Sequence, residues 1–264
     1  MTTIKIKRVS VTLLLCLITT FSTFGQQENS RGLIWSKLRG LEYQLKAGFN
    51  VGGITPLPIP AEIRSIEKYS PNLSLSIAGE VSKWFGNNNQ WALITGITLD
   101  TRSMTTEAIV KNYGMEIIGD QGEKVAGQWT GGVKTKVKNS YITLPIMAGY
   151  KISSRWKLKG GTYFSYLIDG VFNGHVYEGY LREGDPTGEK VVFSDGKIAT
   201  YDFSTDLRRF QWGLILGGEW KAYKHLNVYG DLTWGLNDAF KKDFNTITFA
   251  MYPIYLNLGF GYIF

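Results

Sequence analysis

Chemistry in this chain could rest on very few residues. It has two histidines, His175 in NGHVYEG and His225 in AYKHLN. A hydrolytic triad needs a nucleophile, a histidine and an acid within mutual reach. Neither histidine has a serine two residues on, and no Asp-x-His occurs. Metal sites need clustered His, Cys or carboxylate ligands, so an isolated histidine reads as a surface residue. Asp195, Asp202 and Asp206 fall in SDGKIATYDFSTD without the tight odd-position spacing of a calcium loop. GGITP and GQWTGG lack the strand-to-helix context in which glycines cradle phosphate. The expectation is a protein that is not an enzyme, with no catalytic residue, metal or cofactor.

The single cysteine, Cys16, lies inside the apolar run of an N-terminal segment with the layout of a secretory signal. Lys5, Lys7 and Arg8 form its basic region, VSVTLLLCLITTF its apolar region, and STFG supplies small residues before Gln26. The run is too short to span a bilayer comfortably as a helix. Leu14 and Leu15 precede Cys16 where a lipoprotein signal would carry small residues. Residues 1–25 therefore read as a signal peptide, 26–39 as a periplasmic linker, and 40–264 as one domain. Removing the signal takes away the thiol and three basic residues, leaving 26 basic against 22 acidic, or +4. So mild a charge gives no argument for nucleic acid.

A second set of residues is charged where charge is costly. Lys46, Glu80, Lys159, Glu219 and Asp231 each fall on the polar face of a segment that alternates apolar and polar. Eight such segments run over about 41–53, 73–85, 91–101, 140–152, 156–169, 209–221, 226–237 and 251–264. In 226–237, Leu226, Val228, Gly230, Leu232, Trp234 and Leu236 form one face; Asn227, Tyr229, Asp231, Thr233, Gly235 and Asn237 form the other. Most segments match or exceed the roughly 9–11 residues with which a tilted strand crosses a bilayer. The phase slips near Lys83 and Trp84, which predicts a bulge there. Connections alternate between short (GNNNQ, SSR, AYKH) and long (about 54–72, 102–139, 170–208 and 237–250). Even strand number, short turns at one end and long connections at the other describe an outer-membrane barrel.

Alternation alone does not say which face is outside, since an eight-stranded lipocalin-like barrel carries an apolar interior. Aromatics gather at both strand ends: Trp91, Trp156, Trp220 and Phe264 beside the short turns, Phe164, Tyr166, Trp212, Trp234 and Tyr252 toward the long connections. Two such belts suit the headgroup levels of a bilayer. The polar face is rich in glycine, including Gly48, Gly96, Gly149, Gly161, Gly217 and Gly259, which suits a narrow lumen. The five charges inside it must pair. They read as a structural network rather than a permeation path, because open channels need about 16–18 strands.

YITLPIMAGYKI (141–152), DLRRFQWGLILGGEW (206–220) and the terminal LNLGFGYIF resemble the PorT-like outer-membrane β-barrel family of Bacteroidetes. Tyr141, Leu144, Pro145, Trp212, Gly213, Leu214 and Gly217 stand at that family's Tyr-x-x-Leu/Ile-Pro and aromatic-Gly-Leu-x-x-Gly positions. The resemblance covers roughly residues 40–264 and implies an outer-membrane location. One member of the family is implicated in protein secretion, a role not carried over here. Pro145 fits a ladder only if its missing N–H leaves no gap, as beside a bulge.

The expected fold is an all-β, eight-stranded antiparallel up-and-down transmembrane β-barrel with four long extracellular loops and short periplasmic turns, both termini periplasmic. Its expected surroundings are the lipid bilayer of the outer membrane, the barrel-insertion machinery, and an extracellular or envelope protein or glycan. The expected function is a non-enzymatic surface, envelope-interaction or structural role with a filled lumen. The alternatives are an accessory of envelope transport or secretion, a lipid-modifying barrel enzyme, or a soluble lipid-binding barrel. In the closing strand, Ile254, Leu256, Leu258, Phe260, Tyr262 and Phe264 should face lipid, with Phe264 at the periplasmic headgroup level. That strand should pair with the first, because lipid tolerates no open edge.

Overall fold

A computed structural model of the chain describes residues 40–86, 88–118 and 124–264. The expected signal peptide and linker lie outside the described residues. What is described is strand, apart from turns and one short 3-10 turn, Ser204–Asp206. The strands are β1 (Leu41–Pro56), β2 (Ile63–Ser70), β3 (Leu75–Phe85), β4 (Trp91–Ile118), β5 (Lys124–Lys151), β6 (Trp156–Glu183), β7 (Lys190–Asp202), β8 (Phe210–Lys221), β9 (Leu226–Gly235) and β10 (Met251–Ile263).

Eight of these strands close a ring. Antiparallel ladders run β1–β3–β4–β5–β6–β8–β9–β10, and β10 pairs back onto β1 from Gln44 opposite Ile263 to Pro56 opposite Met251. Closure removes the unpaired edges of the sheet at that level. The eight alternating segments fall on these eight strands, matching five of them within a few residues and only the ring portions of β4, β5 and β6. β2 and β7 stand outside the ring and pair with the far halves of β4 and β6.

The short connections carry the turn chemistry expected of them. Gly86 and Asn89 take positive φ, a conformation open to glycine and tolerated by asparagine. Ser153 Oγ accepts from the amides of Arg155 and Trp156 between β5 and β6. His225 closes the last short turn: its Nδ1 lies 2.8 Å from Ile263 O, and its ring stacks on Tyr262.

Three details differ from the sequence expectation. The long connections 102–139 and 170–208 are largely strand: β4, β5 and β6 each run for 28 residues, far past the ring. Turn residues such as Asp185 and Pro186 mark the tips of these hairpins, not loops along their length. No bulge occurs at Lys83–Trp84, because the β3–β4 register is unbroken to Phe85 opposite Trp91. Lys83 points outward at the strand end, while Trp84 turns inward beneath Lys151 and Lys157, 3.7 and 4.9 Å from its ring centroid. Pro145 has no bulge beside it either. The β4–β5 ladder skips the residues opposite it without shifting register, and the Thr95 hydroxyl donates to Pro145 O at 2.9 Å.

The β1–β10 closure depends on close approach at Gly48, which faces Gly259. A Cβ at Gly48 would lie 2.5 Å from both Leu258 O and Tyr229 Oη. Gly48→Val should destabilise the ring by about 1–3 kcal/mol, as overpacking does. In detergent, its compact, heat-modifiable gel band should melt at lower temperature than that of the parent; an unchanged melt would show that the seam has slack.

Candidate functional site

The inner face of the ring is polar and the outer face apolar. Gln44, Lys46, Asn50, Ser76, Glu80, Ser82, Lys159, Glu219, Asn227 and Asp231 are buried. Leu45, Ile77, Leu93, Leu144, Leu216 and Phe260 are exposed, Leu216 to 65%. An exposed apolar surface wrapped around a ring is the reverse of a ligand-carrying soluble barrel, and it is far larger than a water-soluble monomer shows.

The five charges named from the sequence meet inside. Lys46 Nζ lies 2.8 Å from Glu80 and 2.7 Å from Asp231. Lys159 Nζ lies 2.8 Å from Glu219 and 3.0 Å from Asp231. Longer contacts cross-link the set, Lys46 to Glu219 at 3.9 Å and Lys159 to Glu80 at 3.7 Å. Asn227 donates to Glu219 at 3.2 Å, and the Tyr229 ring lies 3.9 Å from Lys46 Nζ. Two cations thus serve three carboxylates drawn from β1, β3, β6, β8 and β9.

The ladder makes room for four of the five charges. Lys46 is flanked in register by Gly261 and Ala78, Lys159 by Gly149 and Gly217, and Glu80 by Gly96. At Gly217 a side chain would collide with Asp231 Oδ1.

A second layer lies above. Arg102 Nε donates to Asp100 at 2.6 Å, and the rings of Tyr141, Tyr163 and Tyr255 surround the guanidinium at 4.9–5.6 Å. The space left between the two layers is about 50 Å³, and a further pocket near Trp84 and Lys157 holds about 10 Å³. Since a cavity holds one water in roughly 10–15 Å³ of such space, the first has room for a few waters and the second for one at most.

Past the ring the interior turns apolar. Trp129, Val133, Val137, Phe172, Val176, Leu181, Tyr201, Phe203 and Phe240 pack as one buried cluster. Phe172 meets Phe240 edge-on at 4.9 Å, and Phe240 stacks on Phe244 at 4.7 Å. Sequence reading missed this cluster because it gave the hairpins expected above the membrane no buried face. The signal was present in the alternation of Val133, Thr135 and Val137 with Lys134, Lys136 and Lys138.

The interface aromatics all point outward. Trp156 and Trp220 are neighbours at 6.4 Å and Trp91 lies against Tyr150 at 4.7 Å, all beside the short turns. Trp212 and Trp234 are exposed toward the other end, where Phe164 stacks on Phe210. Trp220 and Phe210 are ends of the same strand. Ten residues separate them, roughly 33 Å along it and about 25 Å along the axis at a tilt near 40°. In the closing strand Leu256, Phe260, Tyr262 and Phe264 are exposed, and Ile254 and Leu258 half-buried on the same face. Tyr255, Gly259 and Gly261 are buried on the other.

Residues 24–241 match the outer membrane protein beta-barrel domain family. The chain belongs to that family. An outer-membrane β-barrel accounts for the inside-out polarity just described. No curated protein matches the chain. Among solved structures, the outer membrane protein OprG of Pseudomonas aeruginosa aligns at 14% identity over 84% of this chain and 95% of its own, with a TM-score of 0.32. The outer membrane protease OmpT of Escherichia coli aligns at 14% identity over 85% and 94%, with a TM-score of 0.33. The Ralstonia pickettii toluene transporter TbuX aligns at 8% identity over 85% and 90%, with a TM-score of 0.20. At these scores none of the three bears on what this outer-membrane barrel does.

Neither histidine of the barrel joins a catalytic constellation. His225 is held by Ile263 and Tyr262 as above, and His175 stands between Lys134 and Thr200 in the ladder rows. Nearby, the Lys134 ammonium, hydrogen-bonded to Glu107, holds that carboxyl below its usual range. Among the described residues no cluster of three or more His, Cys, Asp or Glu is arranged to hold a metal.

Lys159→Met leaves three buried carboxylates with one cation. It should cost about 3–5 kcal/mol, and pairing it with Glu219→Leu should recover part of the loss. Urea unfolding followed by tryptophan fluorescence in phospholipid vesicles measures both. Losses that add, once the Glu219→Leu single variant completes the cycle, would show that the two side chains do not interact.

Proposed function

We propose that this outer-membrane protein is a closed, non-enzymatic transmembrane barrel that works through the strands it raises above the membrane. In this reading both termini and the short turns lie in the periplasm, and the hairpins β4–β5 and β6–β7 stand outside the cell. The observation that carries it is the filled interior. Ion-paired layers occupy the ring, and an apolar core occupies the far end, which supports a lumen closed to solute passage. What remains available is outward-facing surface, most of it on strands extended past the aromatic belt. Its partner in this reading is a protein or glycan of the cell surface or envelope.

Reconstituted into planar bilayers, the purified barrel should give no steady conductance at modest voltage. Sustained channel currents from the parent protein would contradict a filled lumen. Replacing the hairpin tips 118–124 and 182–190 with short turns, which spares the buried Trp129 and Leu181, should leave folding and closure intact. The same change should remove the partners captured by crosslinking in intact envelopes. An unchanged partner set on the shortened barrel would refute recognition through the hairpins.

A further inference from the structure

β1 and β2 follow one another in the chain and run side by side, yet they do not pair. The β1–β3 ladder ends at Phe49 opposite Leu75, and the Asn50 amide donates to Ser74 O just beyond it. From there β1 keeps β10 on one side only, while β2 pairs with β4 from Ser70 opposite Thr105 to Ile63 opposite Val110. Among the described residues no backbone hydrogen bond joins residues 51–56 to 63–70; the Tyr69 hydroxyl, donating to Gly52 O at 2.8 Å, crosses the gap. The wall is split there.

The split leads to a cavity of about 300 Å³. Its inner end is formed by Met104, Val110, Val133 and Phe172, all buried, and its mouth by Ile66 and Tyr69, both exposed. No charged side chain lines it. The volume is roughly twice that of the ~150 Å³ apolar cavity that takes up benzene. Strands in a barrel are tilted, so height is read only between direct neighbours: Thr55 in the lining faces Tyr252 of the outer aromatic belt. The β1 side of the mouth therefore adjoins that belt, while its β4 side leads toward Glu107 and Lys134. Unpaired backbone is excluded from hydrocarbon but accepted at the headgroup level, where water reaches it. Around the mouth Leu57, Ile59, Leu73 and Leu75 are exposed and continue the apolar outer surface, while Arg64, Glu67 and Lys68 stand exposed around Ile66, with Lys68 in register with Glu107.

We infer that this cleft holds one acyl chain of an outer-leaflet lipid, which enters sideways between β1 and β2 and leaves its zwitterionic headgroup outside beside Arg64, Glu67 and Lys68. The lining suits a hydrocarbon and gives a polar group no charged partner. The mixed charges at the rim suit a headgroup that carries both signs, and the sideways mouth beside the belt residue Tyr252 gives access from the bilayer. The inference rests on the membrane-spanning reading, and the experiment separates the two.

The intact protein is reconstituted into phosphatidylcholine vesicles carrying a trace of the same lipid with a diazirine on one acyl chain. Photolysis and peptide mass spectrometry then locate the adducts. Adducts are expected at Met104, Val133 and Phe172 as well as at belt residues such as Leu144 and Leu216. Ala108→Phe fills the cavity and should abolish the internal adducts. Ile66→Arg, at an exposed position where folding is not at stake, should do the same by placing a charge in the mouth. Belt adducts without internal ones in the parent protein would overturn the inference and leave the membrane reading standing. Absence of belt adducts would tell against the membrane reading itself. Internal adducts from a free aryl-diazirine hydrocarbon, with none from the lipid, would overturn the acyl chain as occupant. So would internal adducts that survive both substitutions.

Discussion

Inside the ring, two buried ammonium groups are shared among three buried carboxylates. Everything around this cluster is arranged so that the sharing works. Small residues stand next to four of the five charges in the ladder, Glu219 excepted, which lets side chains fold inward without forcing strands apart. Tyr229 closes the cluster from one side by presenting its ring to Lys46, and Asn227 satisfies an oxygen of Glu219 that the lysines leave over. A buried network of this kind contributes little net stability compared with an apolar filling. Its consequence is positional: each carboxylate has one place to be, and with it the register of five strands.

The same arrangement explains why the interior is sealed twice by different means. Within the ring, polarity points inward because the outside is apolar, so the filling has to be ionic and hydrogen-bonded. Beyond the belt the hairpins are wetted on their outer faces, as Lys134, Lys136 and Lys138 show, and the filling reverts to an ordinary aromatic and aliphatic core. One strand, β5, passes from one regime to the other without changing its period. Tyr141 and Asn139 stand at the change, where buried neighbours switch from charged groups to Phe172 and Leu207.

Much of this was legible from the order of residues. Strict alternation placed the eight ring strands, and the rule that buried charges must pair singled out the five residues that turn out to touch. Glycine on the polar face marked where space was needed. Less legible were features that depend on neighbours far away in the chain. Lys83 and Trp84 look like a slipped register, because a strand end lets an outward lysine reach water and an inward tryptophan lie under Lys151. Pro145 looks like a reason for a bulge, and nothing nearby in the sequence announces that Thr95 will satisfy its carbonyl. The extensions of β4, β5 and β6 alternate more weakly, since both faces there carry polar atoms. The cleft beside Gly52 has no local signature at all, being the absence of a pairing that β1 and β2 could have made.

The five charges come from widely separated parts of the chain: Lys46 from the first strand of the ring, Asp231 from the last but one. Full pairing of the two lysines is therefore a property of the finished ring alone. A partly assembled sheet carrying β1 to β6 would hold both lysines against a single carboxylate, Glu80, and would face hydrocarbon with unmatched cations. Such an intermediate must keep its concave side in water until β8 and β9 arrive. The order of events in assembly follows: curl first, with the lumen still hydrated, and expel water only when β10 zips onto β1.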